Sequence, residues 1–252
     1  MASVTVIGRP VLTFGGFSQQ ETTGKKKPNK HLSPLKLSVD KDNSKGHTED
    51  VNTIKVDSTT MKFEFLLGFI TIASNLFVQS PDHIEHLKSQ GITHILNVSS
   101  ENFSKDFEDK FNDSTSPTQK LLHISMKDNS DTIIFKYFSK VFQFIDSVRE
   151  TENGKILVHC QAGISRSVSM VMAYLIWNRD LVNSKSDNKL DSFDNVLEFV
   201  KAIRPIAGPN IDFCLQLQYF LKEVMKGSHC RDLENFCEKL MEVWKPAEKT
   251  SD

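Results

Sequence analysis

Short aliphatic runs and longer helical patterns alternate along the chain from about residue 61 onwards. Runs of β-branched and aliphatic residues predict strands at residues 75–79, 92–98, 121–126 and 156–158. A short helix is predicted to begin at Pro81, and apolar residues at helical spacing predict amphipathic helices at residues 137–148, 193–203, 211–225 and 233–244. Residues 168–177 are apolar nearly all round and predict a buried helix. This alternation predicts an α/β fold with a central, mostly parallel twisted sheet of four to five strands flanked by helices.

Polar segments divide the chain into three predicted parts. Residues 1–60 are rich in Lys, Ser, Asn and Thr from about residue 22 and are predicted to form a disordered N-terminal tail. Residues 61–226 form the predicted globular domain, and residues 227–252 a C-terminal amphipathic helix and tail. Within the domain, residues 99–119 and 180–191 are predicted as polar loops, with a helical turn at Phe103 and Phe107 as an alternative in the first. The apolar run 65–73 is too short to span a membrane and fits a strand or buried segment.

Composition narrows the classes of function. The chain has 252 residues, with 31 basic and 32 acidic side chains, a formal net charge of −1 and 38% apolar residues. Because there is no basic excess to neutralise phosphates, we expect no nucleic-acid partner, and no apolar run long enough for a membrane span is present.

Cysteine usage points to a reducing compartment. The four cysteines are Cys160, Cys214, Cys230 and Cys237. They form no C-x-x-C motif, so free thiols are expected, and the last two fit a core or interface stripe better than a redox pair. We therefore expect the cytoplasm or the nucleus. A transit peptide in residues 1–20, which lack acidic side chains, is the less favoured alternative.

Residues 158–167, Val-His-Cys-Gln-Ala-Gly-Ile-Ser-Arg-Ser, carry the most informative chemistry. A buried strand ends at Cys160, a short loop follows, and a helix opens at Arg166. Backbone N–H groups in such a loop bind anions and lower the pKa of a thiol by stabilising its thiolate. Arg166 can donate two parallel hydrogen bonds to a phosphate, and Gly163 lets the loop turn without a Cβ. The segment predicts attack of Cys160 on phosphorus through a phosphocysteine intermediate, with a small core cysteine as the alternative.

This segment resembles the signature of the cysteine-dependent protein tyrosine phosphatase superfamily, specifically its dual-specificity phosphatases of the atypical small type. Residues 91–98, 173–175 and 204–217 resemble the family's second strand, central helix and closing R-P…P-N…F…Q-L segment. The resemblance covers about residues 70–226. It implies a protein tyrosine phosphatase-like fold and hydrolysis of phosphotyrosine and phosphoserine/phosphothreonine with no cofactor and no metal. Gln79 departs from the pattern, since the family commonly has a Gly at the end of its first strand.

The same resemblance implies roles for residues around the cysteine. Cys160 is the nucleophile, Ser167 hydrogen-bonds the sulfur and aids its departure, and His159 orders the loop. The residues that bind the substrate phosphate, called here the phosphate loop, are Gln161, Ala162, Gly163, Ile164, Ser165 and Arg166.

A carboxylic acid must protonate the leaving oxygen of a phosphate ester. Asp128 stands at the family's distance before Tyr137-Phe138 and is implied to be this general acid, and later the base that activates water. Asp131 competes for the role, although it also suits the N-cap of the following helix, where short acidic residues are favoured.

The substrate class follows from the side chains of the phosphate loop. They are uncharged apart from Arg166, whereas the family's lipid phosphatases carry lysines in this loop. This favours phosphoprotein substrates over phosphoinositides or RNA 5′-triphosphates. The alternatives are a phosphatase of lipid, glycan or RNA phosphate, and a scaffold that recognises phosphate with little turnover.

The N-terminal tail contains a candidate docking peptide at residues 25–37. Lys25, Lys26 and Lys27 precede Leu35-Lys36-Leu37, which resembles a MAP-kinase docking motif of basic and aliphatic residues. Ser33-Pro34 would be a proline-directed phosphorylation site within it. MAP kinases are therefore candidate partners. The alternatives are a solvated Lys-rich tail and a weak nuclear-localisation tract.

Overall fold

The computed structural model describes residues 62–112, 120–185, 189–227 and 232–244. Cys230 and the residue 25–37 motif lie outside them. The strands are β1 (Ile70–Ala73), β2 (His94–Asn97), β3 (Leu121–His123) and β4 (Ile156–His159). The helices are α1 (Ile84–Ser89), α2 (Lys105–Phe111), α3 (Phe135–Glu150), α4 (Arg166–Trp177), α5 (Arg179–Lys185), α6 (Phe193–Lys201), α7 (Ile211–Met225) and α8 (Leu233–Val243). No helix of the described residues is long and apolar enough to cross a membrane.

A four-stranded parallel sheet in the order β1-β4-β2-β3 forms the centre of the fold. Strand β4 lies between β1 and β2, and all of its residues are buried because both faces of the sheet are covered. His159, the last residue of β4, pairs with Ala73 of β1 and Asn97 of β2. The predicted α/β class and parallel sheet are confirmed. Cys160, which follows β4, therefore lies at the carboxyl end of a central strand.

The first strand lies earlier in the chain than the predicted one at residues 75–79, and that prediction is wrong. Strand β1 occupies the second half of the apolar run 65–73, after a tight turn in which Leu66 and Ile70 exchange backbone hydrogen bonds. Residues 75–77 form a single 3₁₀ turn instead, and a second one covers residues 81–83 before α1. A short apolar run carries too little periodicity to separate these conformations, and the Gln79 comparison rested on the wrong strand.

The two segments predicted as polar loops contain helices. Helix α2 begins where the Ser104 hydroxyl accepts a hydrogen bond from the Phe107 N–H at 3.2 Å, and it buries Phe107 and Phe111. The helical alternative for this segment is therefore confirmed at Phe107, whereas Phe103 precedes the helix. Helix α5 lies in the second segment, where Val182 and Leu190 are buried. In both cases a few apolar residues outweigh the polar composition that surrounds them.

Helix α8 packs on the same hydrophobic core as the rest of the domain. Phe236 lies 5.6 Å from Trp177 and 6.0 Å from Phe220 between ring centroids, and Trp244 lies 5.7 Å from Phe135. Cys237 is buried beside them, as a core stripe requires. The boundary predicted at residue 226, between the domain and the C-terminal helix, stays a prediction. The apolar face of α8 contacts α3, α4 and α7.

Candidate active site

The connection between β4 and α4 places Cys160 at the carboxyl end of the central strand. Cys160 follows β4 directly, and its side chain is buried. Its Sγ lies 3.4 Å from the Ser167 Oγ. The backbone N–H groups of Gly163 and Ser167 also donate hydrogen bonds to the sulfur. Because α4 begins at Arg166, the loop and the first turn of this helix surround the sulfur with donors.

These donors decide the ionisation of the thiol. Burial alone would raise the pKa of Cys160, but the Ser167 hydroxyl, the two backbone N–H groups and the Arg166 charge favour the thiolate, and the pKa falls below its usual value. Cys237 provides a comparison within the chain. Among the described residues no such donor reaches its sulfur, and burial raises its pKa to about 12. Cys160 is therefore set apart by its surroundings rather than by its depth.

Gly163 is required by the shape of the loop. Its φ of 67° lies in the left-handed region, and a Cβ at this position would collide with the carbonyl group of Ala73 at the end of β1. The loop is therefore pressed against the sheet edge, which holds the Gly163 N–H towards the sulfur.

The carbonyl groups of the phosphate loop are held by neighbouring segments. The Gln161 oxygen accepts from the Asn75 N–H, and the Ile164 oxygen accepts from the Gly208 N–H, both at 3.0 Å. The Arg204 guanidinium donates to the oxygens of Ala162 at 2.8 Å and Gly163 at 3.0 Å. With these acceptors engaged outside the loop, the interior of the loop is left to its N–H donors, as an anion site requires.

Asp128 reaches the loop from the segment between β3 and α3. Its Oδ1 accepts hydrogen bonds from the Ser165 hydroxyl at 2.8 Å and from the Asn210 amide at 2.6 Å. Its Oδ2 lies 3.4 Å from the Arg166 Nε, an ion pair by distance that lacks the alignment of a hydrogen bond. Arg166 also donates from Nη1 to the Met126 carbonyl at 3.1 Å. A carboxyl group, a guanidinium and a thiol of lowered pKa thus converge at one end of the sheet.

Asp131 occupies a different position. It is exposed and accepts a hydrogen bond from the Ser130 hydroxyl at 3.4 Å. The N-cap of α3 is Ile134, so the capping role considered for Asp131 is wrong. Asp131 lies instead in a turn before α3, where Thr132 donates its hydroxyl to the Asn129 side chain at 2.7 Å and its N–H to the Asn129 carbonyl at 3.3 Å.

His159 is a neutral, buried part of the framework. Its Nδ1 lies 3.3 Å from the Cys160 carbonyl oxygen, and its ring meets that of Phe103 edge-on at 5.8 Å. Burial lowers its pKa to about 4, so the imidazole carries no charge at neutral pH. These contacts suit a residue that orders the loop rather than one that carries protons.

Comparison with known proteins identifies the family. The protein-family model for the catalytic domain of dual specificity phosphatases matches residues 76–223. The chain belongs to this family. Dual specificity protein phosphatase 1 of Mus musculus is 34% identical over 166 residues, which cover 65% of this chain and 40% of the relative. Protein-tyrosine-phosphatase MKP1 of Arabidopsis thaliana is 35% identical over 142 residues, covering 55% of this chain and 15% of that one. The chain thus spans less than half the length of these relatives.

A solved structure agrees with the observed architecture of this chain. The crystal structure of DUSP15 superposes with a TM-score of 0.50 at 25% sequence identity, covering 74% of this chain and 99% of that one. The fold expected from the resemblance, a protein tyrosine phosphatase-like α/β domain, is confirmed.

Three residues of the site were given no role from the sequence. Arg204 and Asn210 belong to the segment that resembles the family's closing motif, but their contacts with the phosphate loop and with Asp128 are not visible from spacing. Gln216 lies in the same motif and is almost fully buried, as polar side chains rarely are unless they are hydrogen-bonded. Two signals in the sequence point to Gln216: its place in the motif, and its polar side chain on the apolar face of a predicted helix.

We expect the Cys160 thiol to ionise at a lower pH than an ordinary cysteine, because its donors outweigh its burial. Ser167→Ala removes the hydroxyl donor and should move the midpoint to higher pH. The measurement is a pH titration of the ultraviolet absorbance of the thiolate, taken as the difference from the Cys160→Ser variant. A midpoint at or above that of a free cysteine, or one unmoved by Ser167→Ala, would contradict this account of the sulfur.

Proposed function

We propose that this dual-specificity phosphatase hydrolyses phosphotyrosine and phosphoserine/phosphothreonine in proteins through a phosphocysteine intermediate. The observation that carries the proposal is the Cys160 sulfur, which is buried yet surrounded by N–H and O–H donors that lower its pKa. A thiolate held in this way is a nucleophile, and the same donors suit the oxygens of a phosphoryl group.

In the first step the Cys160 thiolate attacks phosphorus. The S–P bond forms as the bond from phosphorus to the leaving oxygen breaks. Arg166 and the loop N–H groups bind the phosphoryl oxygens, whose charge is spread in the transition state. Asp128 in its protonated form gives its proton to the leaving oxygen, so that an alcohol or a phenol departs.

In the second step water releases the phosphate. Asp128, now a carboxylate, takes a proton from water, and the water oxygen attacks phosphorus as the S–P bond breaks. The electron pair of that bond returns to the sulfur. The Ser167 hydroxyl, 3.4 Å from Sγ, stabilises the departing thiolate by donating a hydrogen bond to it.

The proposed substrates are phosphoproteins. Three side chains of the phosphate loop are exposed and uncharged: Gln161, Ala162 and Ile164. The loop therefore offers no additional cation for the extra phosphates of a phosphoinositide or an RNA 5′-triphosphate. Free thiols at Cys160, Cys214 and Cys237 suit a reducing compartment, and we place the activity in the cytoplasm or the nucleus.

The experiment that tests the proposal compares the chain with its Cys160→Ser variant. We expect the unaltered chain to hydrolyse p-nitrophenyl phosphate and doubly phosphorylated activation-loop peptides. The variant should lose turnover, because a serine hydroxyl is not ionised at neutral pH, yet still bind the phosphopeptide. Turnover retained by Cys160→Ser would exclude the covalent route. Phosphopeptide binding without turnover by the unaltered chain would favour a phosphate-recognising scaffold, and faster hydrolysis of phosphoinositides or RNA 5′-triphosphate would favour the non-protein substrates.

The peptide at residues 25–37 is proposed to dock MAP kinases as substrates of this phosphatase. Its lysines would meet an acidic surface, and Leu35 and Leu37 an apolar groove. The support is the sequence pattern alone, since these residues lie outside the described ones. Deleting residues 1–60 should weaken binding to a MAP kinase while hydrolysis of p-nitrophenyl phosphate stays unchanged. Equal kinase affinity with and without the deletion would reject the docking role.

A further inference from the structure

The segment that carries Asp128 has no apolar anchor of its own. We define the acid loop as residues 127–131, all of which the structure describes. None of these residues is buried, whereas Met126 before them and Thr132 after them are. Where no side chain is packed, hydrogen bonds must fix the backbone. The position of the Asp128 carboxylate therefore depends on the groups that bond the two sides of this loop.

Helix α7 supplies hydrogen bonds to both sides. At its N-terminus, Asn210 accepts from the Phe213 N–H at 2.9 Å as the helix cap and donates its amide to Asp128 at 2.6 Å. Further along the helix, the Oε1 of Gln216 accepts from the Ile134 N–H at 2.8 Å, and its Nε2 donates to the Thr132 carbonyl at 3.0 Å. Both hydrogen bonds of Gln216 are buried.

Gln216 is connected to Asp128 by way of Thr132 and Asn129. Thr132, whose carbonyl Gln216 holds, donates its hydroxyl to the Asn129 side chain at 2.7 Å and its N–H to the Asn129 carbonyl at 3.3 Å. Asn129 is the neighbour of Asp128 in the chain. The amide of Gln216 thus fixes the end of the acid loop that returns to α3, while Asn210 fixes the carboxylate itself.

We propose that Gln216 is a positioning residue for proton transfer: by holding Thr132 and Ile134 on α7, it sets the Asp128 carboxyl group over the phosphate loop. It contacts neither the substrate nor the reacting atoms. The proposal rests on the proposed function, since it assumes that Asp128 protonates the leaving oxygen. A displacement of a catalytic group by about 1 Å is enough to slow a reaction by orders of magnitude.

The test uses the leaving group as a reporter of the proton donor. Phenyl phosphate needs protonation of its leaving oxygen far more than p-nitrophenyl phosphate does. Gln216→Leu should therefore reduce kcat/KM, which reports the first step alone, at least about tenfold more for phenyl phosphate than for p-nitrophenyl phosphate, within the range that general acid catalysis supplies. Gln218→Leu, an exposed change on the same helix, is the matched control and should leave both rates unchanged. Thermal unfolding of each variant reports whether it is folded.

A second variant keeps the test decisive if Gln216→Leu fails to fold. In Gln216→Glu, a protonated carboxyl group can still accept from Ile134 and donate to Thr132, whereas the ionised form repels the Thr132 carbonyl. We expect the phenyl phosphate deficit of Gln216→Glu, relative to the unaltered chain at each pH, to shrink as the pH falls. A merely structural role predicts a deficit that is equal for both substrates and has no such pH dependence.

Two further outcomes separate the proposals. In an Asp128→Ala background, Gln216→Leu should add nothing to the leaving-group discrimination, because the two residues act as one unit. Additive losses would overturn the positioning role while leaving the phosphatase function intact. An unaltered chain that hydrolyses neither ester would instead overturn the proposed function, and the role of Gln216 with it.

Discussion

The Cys160 sulfur is buried at the carboxyl end of the central strand, and the rest of the site depends on how its charge is stabilised there. A buried thiol has a raised pKa unless donors surround it, and Cys237 in the same domain has that raised value. Around Cys160 the Ser167 hydroxyl and the backbone N–H groups of Gly163 and Ser167 reverse the effect. These donors are in place because the chain passes from β4 through a short loop into α4.

The turn is held from outside by segments that are distant in sequence. The end of β1 leaves room for Gly163 but not for a Cβ, and Asn75, Arg204 and Gly208 engage the loop carbonyls. Parallel sheets commonly bind ligands beyond the carboxyl ends of their strands, where connecting segments meet. Here that arrangement brings the Cys160 thiol, the Arg166 guanidinium and the Asp128 carboxyl group together. Helix α7 then sets the distance between the acid loop and the phosphate loop.

Much of the fold and the position of Cys160 in a turn lined by donors could be predicted from the sequence because they are local properties. A wholly apolar strand, a glycine and an arginine at the start of a helix specify the β4–α4 turn within a few residues. The first strand was misplaced because residues 65–73 and 75–79 are both short apolar runs, and pairing with β4 decides between them. Helices α2 and α5 were missed as regular elements because a few buried side chains, Phe107 and Val182 among them, outweigh polar composition.

The second half of the site depends on contacts that sequence spacing does not reveal. Asp128 could be selected over Asp131 only through the family resemblance, while its bonds to Ser165 and Asn210 required the structure. The buried bonds of Gln216 span more than 80 residues of sequence. Groups buried in this way cost about 1–3 kcal/mol each when left unpaired, so the folded domain strongly favours the observed partners. A single sequence carries no record of such partners.

The central claim is that the phosphoryl group passes through the Cys160 sulfur. The most direct measurement is rapid quenching of the enzyme during turnover of a phosphopeptide or p-nitrophenyl phosphate, followed by proteolysis and mass spectrometry. The account predicts that the mass of one phosphoryl group appears on the peptide containing Cys160, forms before phosphate is released, and is absent from the Cys160→Ser variant. Turnover with no phosphoryl group on Cys160, or with one on another residue, would contradict it.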